Sequence, residues 1–327
     1  MRRGTWAADP EYVRSVAVDN IAHVHELMGL GIPEGTIYRR CRTGGPWTLM
    51  APATVRLGTG TPTRRELVRA ALVYAGPQAV LTGLDAARAH GLRRGELPAA
   101  VHLLIPFGVR LHATPIVRVE RTRRLPTPPR IRDGFPVASI ERSVLDVART
   151  MTDESDIAAL LSEPVQRRLV LPESLVAELE AGCRKGSSTP RRVLRAVTTG
   201  ARSAAEFDFL RWWNAQPQLR AHAIVLNVRV SAGSEFLGIA DGLLPDLGLV
   251  LPIDSTEHHF MTPEQVTETE RQHRAYRSAG LHVYGVRPMR MRGDPGGLLR
   301  DVLDAIAVAE QLPTPSVLWT PDLPRPA

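Results

Sequence analysis

The sequence is poor in lysine, in cysteine and in long apolar runs. Of its 41 basic residues only Lys185 is a lysine, and its two cysteines, Cys41 and Cys183, support neither a disulfide framework nor a zinc site. No run of about 18 apolar residues is present, so no membrane span is predicted. The two N-terminal arginines are not followed by the apolar segment of a secretory signal. We therefore expect a cytoplasmic protein with no membrane partner.

Charge is distributed unevenly along the chain. Residues 1–150 contain 22 arginines against 12 acidic residues, whereas residues 151–327 contain 19 basic residues against 22 acidic ones. The net charges are therefore +10 and −3. A coding sequence of high GC content would explain arginine in place of lysine, but not the difference between the halves. A basic half is typical of proteins that meet a polyanion, and double-stranded DNA is the expected partner.

The first 62 residues have the pattern of a winged helix-turn-helix. Apolar residues at helical spacing predict a first helix, and the segment "GLGIP" ends it. The segment "PEGTIYRRCRTGG" predicts a second helix that starts at Pro33, and "WTLMAPATVRL" predicts two short strands with Pro52 at the turn. The residues that define the first helix are Ile21, Val24, Leu27 and Met28.

In this layout the second helix enters the major groove of DNA. Arginine pairs with guanine or with phosphate, so a basic second helix is expected to contact both. The alternative is a small helical domain with a solvated basic face. The candidate DNA-binding residues of this helix are Thr36, Tyr38, Arg39, Arg40 and Arg42.

Residues 63–150 predict an α+β module. Thr63 and Glu66 have the spacing of a capping box at the start of a helix, and Gly76 and Pro77 are predicted to end it. The segments "AVHLLIPF" and "PIVRVERTRRL" predict strands, and "VASIERSVLDVARTM" predicts an amphipathic helix with Asp146 on its surface or in a cap. The cluster at the end of the second strand either grips phosphate or protects a sheet edge. That cluster is Arg121, Arg123 and Arg124.

Four segments in succession resemble actinobacterial AbiEi-type proteins, the antitoxin-like halves of type IV toxin–antitoxin systems. They are "GIPEGTIYRRCRTGGPW", "AALVYAGPQAVLTGLDAARAHGL", "VHLLIP" and "VASIERSVLDVAR". The resemblance implies a winged helix that binds operator DNA and represses its own operon. It also implies a toxin protein as a partner. Proteins similar to this one often carry a C-terminal domain related to very-short-patch-repair endonucleases.

The second half of the chain predicts such a domain. Residues 151–200 are expected to form a helical connector, with "EAGCRKGSSTPRR" as its most linker-like part. Residues 201–312 predict one helix with Ser203 as its N-cap, three strands, a long helix and a last strand, which fits the core of restriction-endonuclease-like proteins. Residues 313–327 are expected to be a Pro-rich tail. The predicted fold class is therefore a multi-domain α/β, or α+β, protein.

The same resemblance implies the position of a nuclease site. Glu206 and Asp241 match a helix glutamate and a hairpin aspartate, Asp254 matches the aspartate of an E-x-D-G motif, and His258 or His259 matches a histidine beyond it. In the family two carboxylates hold Mg²⁺ or Mn²⁺, here Asp241 and Asp254. This chain has Pro252 in place of the motif glutamate and Ser255 in place of its glycine. Because proline lacks a backbone donor, the strand is expected to be locally unpaired at Pro252. Loss of one metal-bridging carboxylate costs on the order of a thousandfold in rate.

Two functions from different classes follow from these patterns. The first is a sequence-specific DNA-binding regulator, which acts as a monomer or a homodimer and needs no cofactor. Its degenerate nuclease-like domain either keeps an arginine surface for DNA or serves as a dimer or partner interface. The second is a metal-dependent DNA endonuclease that its basic half directs to DNA. Pro252 favours the first. The arginines proposed for the DNA face of the second half are Arg271, Arg274, Arg287, Arg290 and Arg292.

Overall fold

The computed structural model describes residues 6, 9–198, 203–253 and 263–322. The chain divides into two compact units, residues 1–147 and residues 148–327. Each unit combines helices with a β-sheet, which confirms the predicted multi-domain α/β class. Within the described part, no helix is both long and apolar enough to cross a membrane.

The first unit alternates short helices with short strands. Its helices are α1 (Pro10–Arg14), α2 (Val24–Gly29), α3 (Glu34–Arg40), α4 (Arg64–Ala75), α5 (Gly83–Ala89) and α6 (Ile140–Ala148). Its strands are β1 (Ile21–His23), β2 (Thr48–Ala51), β3 (Thr54–Arg56), β4 (Val80–Leu81), β5 (Val101–Pro106), β6 (Val117–Thr122), β7 (Arg130–Arg132) and β8 (Phe135–Val137).

A three-stranded antiparallel sheet closes the N-terminal part of this unit. Strand β3 lies between β1 and β2, with Arg56 opposite both Ile21 and Thr48. The first predicted helix is wrong at its start, because Ile21 belongs to β1 and α2 begins only at Val24. Pairing with a strand more than 30 residues away decides the conformation of Ile21, and helical spacing cannot reveal that. The core under this sheet contains Val24, Leu27, Ile32, Ile37, Trp47 and Val55.

The second sheet has the strand order β6-β5-β4-β8-β7. Strands β5 and β6 run parallel from the pair Val101–Val117 to the pair Pro106–Thr122. Helix α4 begins with the predicted capping box, in which Thr63 Oγ1 accepts from the Glu66 amide and Glu66 accepts from the Thr63 amide. The buried face of α4 packs on β5, so this sheet and its helices form one core.

The second unit begins with helices and ends with a sheet. Its helices are α7 (Glu154–Gln166), α8 (Pro172–Ala181), α9 (Ser188–Thr198), α10 (Ala204–Ala215), α11 (Pro263–Ser278), α12 (Pro288–Gly293) and α13 (Pro295–Glu310), with a 3-10 turn at Pro217–Leu219. Its strands are β9 (Val225–Ala232), β10 (Glu235–Leu244), β11 (Leu249–Val250), β12 (His282–Val283) and β13 (Leu318–Pro321).

The sheet of the second unit has the order β12-β11-β10-β9-β13. Strands β9, β10 and β11 form an antiparallel meander, and β12 returns parallel to β11 after the long helix α11. The predicted succession of one helix, three strands, a helix and a strand is therefore present. Ser203 caps α10 as predicted, accepting from the Glu206 amide.

Two segments differ from their predicted roles. The connector is part of the second unit, and its segment from 180 to 192 contains the end of α8 and the start of α9 rather than a continuous linker. The Pro-rich tail contributes β13, which pairs antiparallel with β9 through Trp319 opposite Val230. Both differences have the same cause. Residues that are distant in the sequence pack against or pair with these segments and thereby order them.

Candidate nucleic-acid interface

Helix α3 presents a polar, basic face. Its one fully buried residue, Ile37, anchors the helix in the core beneath the three-stranded sheet. Tyr38 and Arg39 are exposed, and Arg42 is exposed just beyond the helix end. Thr36 is half-buried, and its Oγ1 accepts a hydrogen bond of 3.2 Å from Arg39 Nη2. Four of the five predicted residues of this helix therefore share an accessible polar surface.

Arg40 has a different environment from its neighbours. Its guanidinium carbon lies 4.8 Å from the ring centre of Trp47 and 5.3 Å from that of Trp6. Its carbonyl accepts the Trp47 amide at 3.2 Å, and a Cβ on Gly45 would lie 2.1 Å from that carbonyl oxygen. Stacking of a guanidinium on aromatic faces is favourable. Arg40 therefore stabilises the loop after α3, which spacing along the helix did not reveal.

Buried carboxylates neutralise several other arginines of the first unit. Arg56 Nε lies 2.9 Å from Glu66 Oε1, and this contact lowers the pKa of Glu66 to about 2. Arg64 donates two hydrogen bonds of 2.7 and 2.6 Å to Asp85. Bidentate pairs of this kind fix both side chains. The positive charge of these arginines is thus compensated inside the unit.

Asp19 extends this pattern of internal pairing. It lies at a positive φ of 52° and accepts from Arg65 at 2.7 Å and from Arg69 at 2.9 Å. Partial burial alone would raise its pKa, but the hydrogen bonds from both arginines lower it. A short polar side chain tolerates the left-handed backbone conformation better than a branched one. The negative charge of Asp19 therefore offsets part of the positive charge of Arg65 and Arg69, which face the turn before β1.

Asp146 is wrongly predicted as a surface residue. It is only 2% exposed, and its Oδ2 accepts from Thr82 Oγ1 and from Arg142 Nε, each at 2.8 Å. Arg142 also donates to Glu120 at 2.6 Å. Thr82 is far from Asp146 in the chain, so the amphipathic pattern of α6 could not reveal this contact. The pattern therefore placed Asp146 on the exposed side of the helix or in a cap, although it is buried.

Four of the arginines predicted to meet DNA are outside these internal ion pairs. Within the described ranges no ion pair is formed by the following four predicted residues: Arg39, Arg42, Arg121 and Arg123. Uncompensated guanidinium groups on an accessible surface produce a positive potential that attracts a polyanion. These four side chains therefore contribute positive potential to the surface of the first unit.

A second basic surface lies at the end of the edge strand β6. Arg123 lies 4.5 Å and Arg121 5.7 Å from the ring centre of Phe107, and Phe107 is 51% exposed. Arg124 is exposed, and its amide donates to Thr122 Oγ1 at 3.0 Å. Phe107 was not predicted as a site residue, because an aromatic residue at a strand end also fits a core position. An exposed aromatic ring flanked by arginines can stack on a base.

The acidic residues predicted from the nuclease resemblance have structural partners. Glu206 is buried, and its carboxylate accepts from Ser203 Oγ at 2.8 Å and from Asn227 Nδ2. Asp241 Oδ2 accepts the Ile253 amide at 2.8 Å. Asp254 and His259, together with His258 and Ser255, lie outside the described residues. The structure therefore places two of the four predicted catalytic residues, and both hold neighbouring chain segments.

Pro252 changes how the strand after β11 pairs. The Leu251 amide donates to Gly242 at 2.8 Å, and the Pro252 carbonyl accepts the Val286 amide at 2.8 Å. We expected the strand to be unpaired at Pro252, and this is wrong for its carbonyl, which remains in the parallel ladder. Proline lacks a donor. The Asp241 carboxylate receives the next amide, that of Ile253, where a backbone carbonyl would ordinarily accept.

Three of the five arginines proposed for a DNA face of the second unit are paired. Arg271 donates to Glu268 at 2.6 Å, and Arg290 contacts Asp294 at 3.2 Å. Arg292 donates to Asp208 at 2.6 Å. The remaining two, Arg274 and Arg287, are exposed. Positive potential on this face is accordingly weaker than the count of arginines indicates.

Comparisons with known proteins give little for this chain. No family model matches it, and no curated protein matches it. Among solved structures, the crystal structure of the Rv2827c protein from Mycobacterium tuberculosis is similar, with a TM-score of 0.44 and 17% sequence identity. The similarity covers 64% of this chain and 82% of that chain.

Proposed function

We propose that this protein is a sequence-specific binder of double-stranded DNA, and that it acts as a transcriptional regulator of the antitoxin-like AbiEi type. The observation that carries the proposal is the accessible surface of α3, on which Tyr38, Arg39 and Arg42 are free of internal acids. In this proposal α3 is the recognition helix. The hairpin of β2 and β3 is the wing that lies beside it.

The order of elements around α3 supports this assignment. One strand, two helices and two further strands follow each other, and β3 lies between β1 and β2. A winged helix-turn-helix has this connectivity, and it directs its second helix into the major groove. Arg39 and Arg42 are then the base-reading or phosphate-reading side chains, since arginine pairs bidentately with guanine. Arg121, Arg123 and Arg124, with Phe107, form a further contact beside the groove.

The AbiEi resemblance supports a regulatory role. It predicts that the DNA target lies upstream of the protein's own operon and that a toxin protein is encoded beside it. A repressor of a palindromic operator acts as a homodimer, because the symmetry of the site matches that of the protein. Both the toxin and the homodimer belong to the proposal.

We further propose that the second unit is a nuclease-like domain without nuclease chemistry. A divalent metal in this fold needs two carboxylates with free oxygen atoms. Pro252 supplies none, and both Glu206 oxygens and one Asp241 oxygen accept hydrogen bonds from the protein. In this proposal the described carboxylates Glu206 and Asp241 hold the fold together, and the unit serves as a scaffold.

A mobility-shift titration tests the proposed function. Wild-type protein is titrated onto duplex DNA from upstream of its own coding sequence and onto a scrambled duplex of equal length. The variant R39A/R42A removes two base-reading contacts worth about 1–3 kcal/mol each, so it should bind the upstream duplex at least about 30-fold more weakly. The control R220A/R300A removes two exposed charges from the second unit and should change the affinity by less than about twofold.

The ratio of affinities for the two duplexes gives the sharper measurement. If α3 reads bases, R39A/R42A should lower this ratio as well as the affinity itself. Equal losses on both duplexes would leave these arginines as phosphate contacts only. An unchanged affinity for the upstream duplex would rule out α3 as the recognition helix.

A further inference from the structure

The second unit concentrates positive charge in one segment despite its negative total. Between Glu180 and Glu206 there is no acidic residue, while six basic residues occur. Five of them lie in the described turn between α8 and α9 and in the first turns of α9. These five are Arg184, Lys185, Arg191, Arg192 and Arg195. The charge asymmetry between the halves of the chain concealed this cluster.

The fold turns these side chains into a concave surface. The apolar residues Val193, Leu194 and Val197 are buried, so they fix α9 with its other face outward. A cavity of about 610 Å³ lies on that face. We call this concave face the α9 basic surface. Its lining consists of Arg184, Ser187, Ser188, Arg191, Arg192 and Arg195.

The chemistry of this lining is that of a phosphate site. Four guanidinium groups and two serines line it, and no acidic side chain does. Ser187 is buried and its hydroxyl donates to the Cys183 carbonyl at 2.6 Å, whereas Ser188 is exposed at the start of α9. Guanidinium groups, hydroxyls and backbone amides are the donors that proteins use on DNA phosphates.

Part of this charge has no ion pair within the described part of the protein. Arg192 forms an ion pair with Glu154, but Arg184 and Lys185 are exposed and have no ion pair among the residues that the structure describes. This differs from Arg271, Arg290 and Arg292, whose partners are Glu268, Asp294 and Asp208. Exposed cations without an ion pair gain most from an external polyanion.

We propose that the α9 basic surface binds the phosphate backbone of double-stranded DNA. This inference rests on the proposed function, namely that this protein binds DNA. Phosphate contacts add affinity but carry no base identity. The second unit thereby contributes to DNA binding without a catalytic step.

Paired variants of equal charge test the proposal. R184Q/R191Q removes two guanidinium groups that line the cavity, and R220Q/R300Q removes two exposed ones elsewhere in the unit. Binding to the upstream and scrambled duplexes is measured over a range of salt concentrations, and thermal unfolding confirms that both variants fold. A double-stranded RNA of the same length serves as a third ligand.

The expected result for R184Q/R191Q is a loss of about five- to tenfold on both DNA duplexes, with an unchanged ratio between them. The slope of log affinity against log salt should fall by roughly 1.8, at about 0.9 per phosphate contact. An R184Q/R191Q variant that binds DNA like R220Q/R300Q, while R39A/R42A binds weakly, overturns this inference alone. A greater loss on RNA than on DNA also overturns it.

The two proposals fail in distinguishable ways. If R184Q/R191Q abolishes binding and R39A/R42A leaves it unchanged, the α9 basic surface stands and the recognition helix does not. If the wild-type protein binds neither DNA duplex, both proposals fall together.

Discussion

The two units of this protein use arginine in opposite ways. In the first unit, buried or half-buried acids take up many of the arginines, and the strongly basic total still leaves free guanidinium groups on α3 and β6. In the second unit the total is slightly acidic, and acids on neighbouring turns pair with the arginines of α11 and α12. Among its described residues, Arg184 and Lys185 beside α9 are exposed and have no ion pair. Net charge thus indicates the class of partner. Only the pattern of ion pairs shows which arginines remain available on the surface that contacts this partner.

The largest effect is expected when a buried ion pair of the first unit is broken. Glu66→Gln leaves Arg56 without its carboxylate in a buried setting, which should destabilise the protein by about 3 kcal/mol. Urea denaturation at neutral pH measures the change. The control Glu268→Gln breaks an exposed pair of the second unit and should leave the unfolding midpoint almost unchanged. Similar losses in both variants would show that burial does not distinguish these pairs.

The same pair predicts a pH dependence. The folded protein holds the pKa of Glu66 at about 2, below its ordinary value of 4.5. The stabilisation is therefore fully present above pH 4.5 and is lost as the pH falls towards 2. Glu66→Gln should flatten the stability curve in that window relative to the wild type. Parallel curves for the two proteins would contradict the assigned role of Glu66.

The next prediction distinguishes the roles of two neighbouring arginines on α3, Arg39 and Arg40. Arg40→Ala removes two cation–π contacts and should lower the free energy of unfolding by about 1–2 kcal/mol. Arg39→Ala, at an exposed position, should change it by less than about 0.5 kcal/mol. The order should reverse for DNA affinity, with Arg39→Ala the weaker binder. If Arg40→Ala is as stable as the wild type and binds DNA more weakly than Arg39→Ala, Arg40 is the DNA contact and Arg39 is not.

A change of similar size tests the second unit as a scaffold. Asp241→Ala leaves the Ile253 amide without its acceptor and should destabilise the protein by about 1–2 kcal/mol. Asp246→Ala, in the exposed turn before β11, should change stability by less than about 0.5 kcal/mol. Incubation with supercoiled plasmid and Mn²⁺ completes the test. Plasmid cleavage by the wild type that Asp241→Ala abolishes would restore an endonuclease function.

The smallest expected effect compares two exposed Phe–Arg contacts. Phe107→Ala on the first unit should weaken duplex binding by about 1 kcal/mol, because its ring stacks on a base or supports Arg121 and Arg123. Phe236 on β10 is 45% exposed and lies under Arg229 at 4.3 Å. Phe236→Ala should therefore leave DNA affinity unchanged. Equal responses of both variants would remove Phe107 from the interface.

Local patterns predicted much of the fold. The capping box of Thr63 and Glu66, the cap at Ser203 and the glycine at position 76 lie where spacing placed them, because these signals act within one helical turn. Predictions failed at Ile21 and in the segment 318–321, which are strands only because distant strands pair with them. For the candidate site, sequence identified the basic helix but not the stacking of Arg40 or the exposure of Phe107.

The sequence by itself determined the positions of most helices and strands, the basic first half and the loss of the motif glutamate at Pro252. These depend on residue type and on neighbours within a few positions. Tertiary structure alone decided which arginines are neutralised, why Asp146 is buried and where α9 directs its charge. Electrostatic pairing depends on distances between residues such as Asp19 and Arg65, which are 46 positions apart in the chain and 2.7 Å apart in the fold.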